Sequence, residues 1–217
     1  MTVEIMIMPD LPMQPQIFLA AQALLDGQVI VFPTETVYGI AADALHDAAI
    51  EHLIAIKGRT PDKPLPVMVA DLATAETIVE LGNARTLAAD FWPGPLTLVL
   101  PAKASLNPAC EGDGTIGIRC PDHPVAQAIL KSAGIPLAVT SANAATEPPA
   151  TTSLEARRIF SIHDIAFKIL QSTPTRGQVS TVLHVTPKVW TILRKGPITA
   201  ETIRTYLPQG TTLCENN

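Results

Sequence analysis

The sequence predicts a single α/β domain in which helices pack on a mixed β-sheet. Short, wholly apolar runs of four or five residues recur along the chain, which is typical of strands buried on both faces. Segments with apolar residues at 3.6-residue spacing lie between many of these runs and indicate helices. The alternation is uneven and the last strands follow one another directly, which favours a mixed sheet. No internal repeat, low-complexity segment or linker divides the 217 residues.

Helices are predicted where the apolar spacing is helical and a capping or breaking residue lies at the end. Asp47 is expected to cap the second of them, Gly58 to end it, and Pro61 and Pro64 to prevent it from resuming. In chain order, the predicted helices cover residues 17–25, 47–56, 73–81, 84–91, 124–132, 154–160 and 199–207.

Strands are predicted at the short apolar runs, which are bounded by proline, glycine and polar residues. They cover residues 29–32, 66–69, 96–100, 115–119, 136–139, 166–170, 180–185 and 189–193, and residues 105–114 are predicted as a loop. Residues 1–15 contain three prolines and are expected to form a loose leader with one short strand at most. Residues 208–217 are expected to form a tail. The domain is therefore expected to span residues 16–207.

The composition excludes several classes of protein. A net charge of -5 argues against a sequence-independent nucleic-acid coat, and 4% aromatic residues cannot form a base-stacking platform. No apolar run reaches the roughly 18 residues of a membrane span, and the first residues lack the basic segment of a secretory signal. Three unpatterned cysteines suggest a reducing, cytoplasmic environment, and the five histidines lack metal-ligand spacing.

A basic loop follows the helix at 47–56 and places Lys57, Arg59 and Lys63 within seven residues. One interpretation is a lysine in the last helical turn, favoured by the helix dipole, followed by a solvated loop. The other is a polyanion site, in which the prolines hold the cations at a fixed spacing and a bound phosphate relieves their repulsion. The loop alone leaves both open.

Polar side chains recur where the predicted strands end. Thr34 and Thr36 follow the first buried strand, Arg119 ends another, and Ser141 and Asn143, Ser180 and Arg194 adjoin the later ones. Each could be an ordinary turn, cap or edge residue. Because ligands of open α/β sheets bind beyond strand ends, these residues could instead share one crevice for an anion larger than a single phosphate. No Walker A segment, GxSxG frame or catalytic triad is present.

Seven motifs together give the chain a family resemblance: PTETVYG, KGR with DKPL, WPGPLT, TIGIR, TSAN, STV and LRKG, in that order over about residues 17–200. The chain resembles the YrdC-like family, the threonylcarbamoyl-AMP synthases. It stops soon after LRKG and so resembles the family's short form, without the extra C-terminal domain.

This resemblance implies a twisted open α/β sheet with a positively lined concave face. It implies a nucleotidyltransferase that joins L-threonine, bicarbonate and ATP, with Mg²⁺, into threonylcarbamoyl-AMP and pyrophosphate. The product feeds threonylcarbamoyladenosine formation in tRNA, so tRNA-modification proteins are the implied downstream partners. The alternative is a non-catalytic protein that binds double-stranded RNA, tRNA or the ribosome with the same concave face.

The resemblance also implies roles for individual residues. Lys57 and Arg59 would be catalytic and, with Ser141 and Asn143, would bind the nucleotide and its phosphates. The other implied ATP-binding residues are Lys63, Thr115 and Arg194. The implied L-threonine-binding residues are Thr34, Thr36, Met68, Arg119, Val139 through its backbone, and Ser180; at Met68 some members carry histidine. No metal-ligating residue is implied.

Overall fold

The computed structural model describes residues 3–7, 14–58, 63–143, 147–161, 163, 165–171 and 173–216. Within these residues the strands are β1 (Val3–Ile7), β2 (Ile30–Pro33), β3 (Tyr38–Asp43), β4 (Val67–Met68), β5 (Leu96–Pro101), β6 (Glu111–Gly112), β7 (Thr115–Arg119), β8 (Leu137–Ser141), β9 (Phe167–Gln171), β10 (Thr181–Val185), β11 (Val189–Arg194) and β12 (Thr212–Glu215). The helices are α1 (Gln14–Leu25), α2 (Asp47–Lys57), α3 (Leu72–Ile78), α4 (Arg85–Phe91), α5 (Pro124–Ala133), α6 (Ser153–Ile159) and α7 (Ala200–Arg204).

The described strands form one mixed sheet in the order β1-β9-β2-β3-β8-β4-β7-β5-β10-β11-β12, with β6 paired to β7. The sheet contains parallel pairs, such as β4 with β7, and antiparallel pairs, such as β3 with β8. The predicted mixed α/β sheet of a single domain is therefore confirmed. None of the described helices combines the length and the apolar character needed to cross a membrane.

Alternate strand positions feed two separate hydrophobic clusters, one on each face of the sheet. On β8, Ala138 belongs to the larger cluster, while Leu137 and Val139 belong to the smaller one. The larger cluster includes Leu53 of α2 and Leu87 of α4. The smaller cluster is built from α1 and α5, which cover part of the opposite face. Because successive strand residues point to opposite faces, only every second residue of a strand lies on the face that carries α1 and α5.

Strand β3 was missed by the sequence analysis, which predicted no strand at residues 38–43. All six residues of β3 are buried, but Gly39, Ala41 and Ala42 have low strand propensity. Antiparallel hydrogen bonding to β2 on one side and β8 on the other holds the strand in place. Long-range pairing thus overrides the weak local preference.

Several predicted boundaries differ from the structure, among them the cap of α2 and the C-terminal segment. The cap of α2 is His46, whose Nδ1 accepts a hydrogen bond from the Ala49 N–H, while Asp47 is the first residue of the helix. Residues 212–215, within the expected tail, form strand β12, which pairs in parallel with β11 and is the last strand at this edge of the sheet. Glu215 of β12 makes ion pairs with Lys195 and Arg204, which fasten this segment to the domain.

Candidate functional site

A cavity of about 580 Å³ lies beside α1 and α5 on the same face of the sheet. This placement follows from Met68 and Val139, which belong both to the α1–α5 cluster and to the cavity wall. The cavity is lined by Thr34, Thr36, Val37, Tyr38, Gly39, Lys57, Gly58, Lys63, Pro66, Met68, Thr97, Arg119, Val139, Thr140, Ser141, Asn143, Val179, Ser180 and Arg194. The strand ends named in the sequence analysis therefore meet in one crevice.

All the site residues named from the sequence line this cavity except Arg59 and Thr115. Arg59 lies outside the described residues. Thr115 begins β7, four residues before Arg119, and its hydroxyl donates to the carbonyl of Gly112 at 2.7 Å. It is not among the lining residues that the structure describes.

Lys57 connects the end of α2 to the turn after β8. The helix ends in a left-handed residue, Gly58, at φ 58°. The Lys57 side chain is buried, and its Nζ donates to the carbonyl oxygens of Ser141 at 2.7 Å and of Asn143 at 2.8 Å, and to Asn143 Oδ1. The Ser141 hydroxyl donates to the same Oδ1 at 2.6 Å. Lys57 is thus not a solvated helix-end lysine but the centre of a hydrogen-bonded turn.

The turn between β2 and β3 is fixed by the hydroxyl of Thr34. Its Oγ1 accepts from the N–H of Thr36 at 3.2 Å and of Val37 at 3.3 Å, and donates to the Val37 carbonyl at 2.6 Å. The backbone N–H groups of Arg176 and Gly177 donate to the carbonyls at positions 35 and 36. This polar turn is therefore rigid and presents the hydroxyl of Thr36 to the cavity.

Arg119 ends β7 and is 5% exposed. Its Nε donates to the Gly94 carbonyl at 3.1 Å, and its Nη1 donates to Thr36 Oγ1 at 3.1 Å. Its Nη2 donates to Glu35 Oε1 at 2.5 Å, forming a buried ion pair. The sequence analysis missed this role of Glu35; the available signal was an acidic residue directly after a buried strand, between two threonines.

Arg194, Ser180 and Thr97 form a second hydrogen-bonded group in the cavity wall. Arg194 donates from Nε to the Ser180 carbonyl at 3.0 Å and from Nη2 to Ser180 Oγ at 2.9 Å. Ser180 Oγ also lies 2.8 Å from Thr97 Oγ1. Burial, and then the charge of Arg119, lower the pKa of Arg194. Thr97 was also missed, although a hydroxyl inside the apolar run of β5 was a usable signal.

Gly196 explains why a glycine follows Arg194 and Lys195. A Cβ at this position would lie 2.3 Å from the Thr181 nitrogen and 2.6 Å from the Ser180 carbonyl carbon. Both are backbone atoms that cannot turn aside. The absence of a side chain lets the end of β11 approach the start of β10, and this approach brings Arg194 to Ser180.

The chain matches the Sua5_yciO_yrdC family model, described as telomere recombination, over residues 22–196. It is 39% identical over 201 residues to the threonylcarbamoyl-AMP synthase of Bacillus subtilis, covering 89% of this chain and 57% of that protein. It is 38% identical over 192 residues to a putative threonylcarbamoyl-AMP synthase of Mycobacterium tuberculosis, covering 87% of each.

Two solved structures resemble the fold closely. Pyrococcus abyssi Sua5 complexed with L-threonine superposes with a TM-score of 0.89 at 31% identity, over 97% of this chain and 62% of that one. Escherichia coli YciO gives a TM-score of 0.82 at 25% identity, over 91% and 97% of the two chains. This chain thus spans little more than half of the Bacillus protein and of Pyrococcus Sua5.

Proposed function

We propose, because the chain belongs to the Sua5/YciO/YrdC family, that its cavity is the active site of a threonylcarbamoyl-AMP synthase. This nucleotidyltransferase would join L-threonine, bicarbonate and ATP into threonylcarbamoyl-AMP and pyrophosphate. The product would supply the modification of tRNA in the cytoplasm, which makes tRNA-modifying proteins its partners. In support, curated relatives carry this name, and Pyrococcus Sua5 was solved with L-threonine.

One observation carries the proposal: a single cavity is lined by two chemically different groups of residues, which we call its two ends. Lys63, Arg194 and the Lys57–Asn143 turn supply cations and polar groups at one end. Arg119 and Thr36 form a buried, hydrogen-bonded pair at the other. A volume of about 580 Å³ lies within the usual range for small-molecule sites, which is roughly 300–1,000 Å³.

The cationic end suits the triphosphate of ATP. Arg194 is held by Ser180 and so presents its guanidinium without a large loss of side-chain freedom. Lys63 is exposed at the rim, where it can follow the phosphates. Ser141 and Asn143, fixed by Lys57, offer a hydroxyl and an amide to the nucleotide, and Arg59 is proposed to join them.

The Arg119 end suits the amino acid. A guanidinium recognises a carboxylate through two parallel N–H···O bonds. Thr36, which accepts a hydrogen bond from Arg119, and Ser180 also line the cavity with hydroxyls, and Met68 and Val139 supply apolar surface. Small polar and apolar surfaces around one arginine are what L-threonine requires.

The reaction can then proceed without a covalent protein intermediate. The amine of threonine adds to bicarbonate with loss of water and gives a carbamate. A carbamate oxygen attacks the α-phosphorus of ATP. The bond between the α-phosphorus and the oxygen that bridges it to the β-phosphorus breaks, and pyrophosphate leaves. The chain contributes by holding the two substrates in contact and by neutralising charge on the phosphates through Arg194 and the lysines.

A divalent metal would most naturally arrive with the nucleotide. Among the described residues there is no group of three or more His, Cys, Asp or Glu side chains arranged to hold a metal ion. These residues therefore do not fit a protein-built Mg²⁺ cage. Mg²⁺ commonly binds phosphates and keeps several of its waters, so we propose that it accompanies ATP, and no step above depends on it.

The test is the release of pyrophosphate in mixtures of ATP, L-threonine and bicarbonate. Pyrophosphate should form only when all three are present, and omission of each substrate in turn is the control. Salt-dependent binding of duplex RNA, with no pyrophosphate release and no effect of ATP on thermal stability, would instead indicate the non-catalytic RNA-binding alternative.

A further inference from the structure

Glu35 lies behind the amino-acid end of the cavity and does not line it. Its side chain is 4% exposed, and its Oε1 accepts from Arg119. Its other oxygen, Oε2, is buried and has no hydrogen-bond partner among the described residues. Buried ion pairs contribute little net stability compared with apolar residues of similar size. The retention of this pair beside a ligand cavity therefore calls for a functional reason.

The pairing leaves two N–H groups of Arg119 without a hydrogen bond among the described residues. A guanidinium has five N–H donors. Within the described part of the chain, Arg119 uses one on Nε, one on Nη1 and one on Nη2, for Gly94, Thr36 and Glu35. One N–H remains on each terminal nitrogen, which is the number that a bidentate carboxylate needs. Glu35 thus offsets the charge of Arg119 without occupying all its donors.

The surrounding charges make this offset important. Arg194 lies close enough for the positive charge of Arg119 to lower the pKa of Arg194, in addition to the effect of burial. Lys57 and Lys63 line the same cavity. If Glu35 did not offset the positive charge of Arg119, the whole cavity would attract phosphates, and the two ends would compete for the same anions.

We propose that Glu35 is a positioning residue that makes the Arg119 end of the cavity selective for a zwitterionic amino acid over simple anions. The inference rests on the proposed function, because it assigns this end to the amino acid. A ligand with both a carboxylate and an ammonium group can bind Arg119 through its carboxylate, while the charge of Glu35 behind the cavity wall attracts its ammonium group at longer range. A carboxylate or phosphate alone meets an arginine whose charge is already offset, so it gains less on binding.

The experiment compares two ligands that differ only in the amino group: L-threonine and (R)-3-hydroxybutyrate. Calorimetry without ATP gives the ratio of their dissociation constants for the wild-type protein and for Glu35→Gln. Glutamine keeps an oxygen to accept from Arg119 but removes the charge. The preference for threonine should fall by about tenfold or more in the variant, chiefly because (R)-3-hydroxybutyrate binds more tightly. Inorganic pyrophosphate should also displace threonine more readily from the variant.

Two controls separate charge from shape. Glu35→Asp keeps the negative charge and should retain the preference for threonine, while Glu201→Gln removes an exposed acid far along the chain and should leave the ratio unchanged. Equal weakening of both ligands in Glu35→Gln would mean a merely structural role and would overturn the inference.

Two further outcomes are informative. If Glu35→Gln does not fold, the wild-type protein decides: similar affinities for the two ligands overturn the inference, and a preference of about tenfold or more for threonine supports it. If the wild-type protein binds no threonine, the proposed function fails and this inference fails with it. Threonine binding with an unchanged ratio in Glu35→Gln overturns the inference alone.

Discussion

Replacement of Lys57 by methionine tests whether this residue holds the turn that carries Ser141 and Asn143. Methionine keeps most of the apolar stem and removes the ammonium group. The change leaves the carbonyl oxygens of Ser141 and Asn143 and the Asn143 Oδ1 without the donor that they share in the native protein. The turn should therefore loosen, and the cavity should lose part of the wall that is proposed to bind the nucleotide.

The size of the effect follows from these three hydrogen bonds. A hydrogen bond to a charged group contributes about 1.5–3 kcal/mol, but Ser141 and Asn143 are only half-buried, so water can replace part of the loss. Taking about 1 kcal/mol for each bond gives a loss of about 3 kcal/mol in the free energy of unfolding. For a chain of this length, each kcal/mol lowers Tm by about 2–4 °C, so Tm should fall by about 6–12 °C.

Thermal and urea unfolding of Lys57→Met measure the stability, and pyrophosphate release measures the activity. The rate should fall on the order of 10²-fold, as is usual when a well-placed electrostatic group is lost. Lys188→Met is the matched control, because Lys188 is exposed in the turn between β10 and β11, at the opposite end of these strands from Ser180 and Arg194. A Lys57→Met protein with the wild-type Tm and urea midpoint would refute the assignment of Lys57 to the turn.

Three further predictions concern other parts of the domain. His123 caps α5 through Nδ1, and burial lowers its pKa in the folded protein. The neutral side chain should therefore stabilise the folded protein fully above the unfolded-state pKa of about 6.5, and this stabilisation should be lost as pH falls through the lower pKa of the folded state. The difference in urea stability between wild type and His123→Asn should shrink accordingly from pH 8 to pH 5. Gly196→Ala should lower the free energy of unfolding by about 1–3 kcal/mol or more and weaken ATP binding. In the control Gly117→Ala, the new Cβ would meet its nearest neighbour at 3.8 Å, so this variant should unfold at nearly the wild-type temperature. Burial raises the pKa of Cys110 to about 12 and of Cys120 to about 11, so a thiol reagent at pH 8 should modify only the exposed Cys214 quickly and all three cysteines after denaturation.

Most helices and strands could be predicted because each has a local signal. The apolar runs at residues 96–100 and 115–119 and the helical spacing at 124–132 needed no long-range information, and the structure has β5, β7 and α5 there. Strand β3 could not be predicted in this way, because its glycine and alanines form a strand only between β2 and β8. The cap at His46 was missed because Asp47 is the stronger N-cap candidate by residue type.

The candidate site shows the same division between local and long-range information. Cations and hydroxyls at strand ends predicted a shared crevice, and the structure brings Lys57, Arg119, Ser141 and Arg194 to one cavity. The pairing of Arg119 with Glu35 depends on residues 84 positions apart in sequence, so spacing alone could not reveal it. The same holds for the contact between Thr97 and Ser180, which requires β5 and β10 to be neighbours in the sheet.

Main-chain hydrogen bonds join the segment between β9 and β10 to the Thr34–Val37 turn, since the N–H groups of Arg176 and Gly177 donate to the carbonyls of Glu35 and Thr36. Because this attachment uses main-chain atoms, it depends little on which side chains the segment carries, although Gly177 has a φ of 76° that favours glycine. Homologues can therefore diverge freely in this stretch and keep the same attachment. Insertion or deletion of a single residue is different, because it would shift the register that delivers Ser180 to the cavity. Among relatives of this chain, the number of residues between Gly177 and Ser180 should vary much less than the amino acids found in the segment.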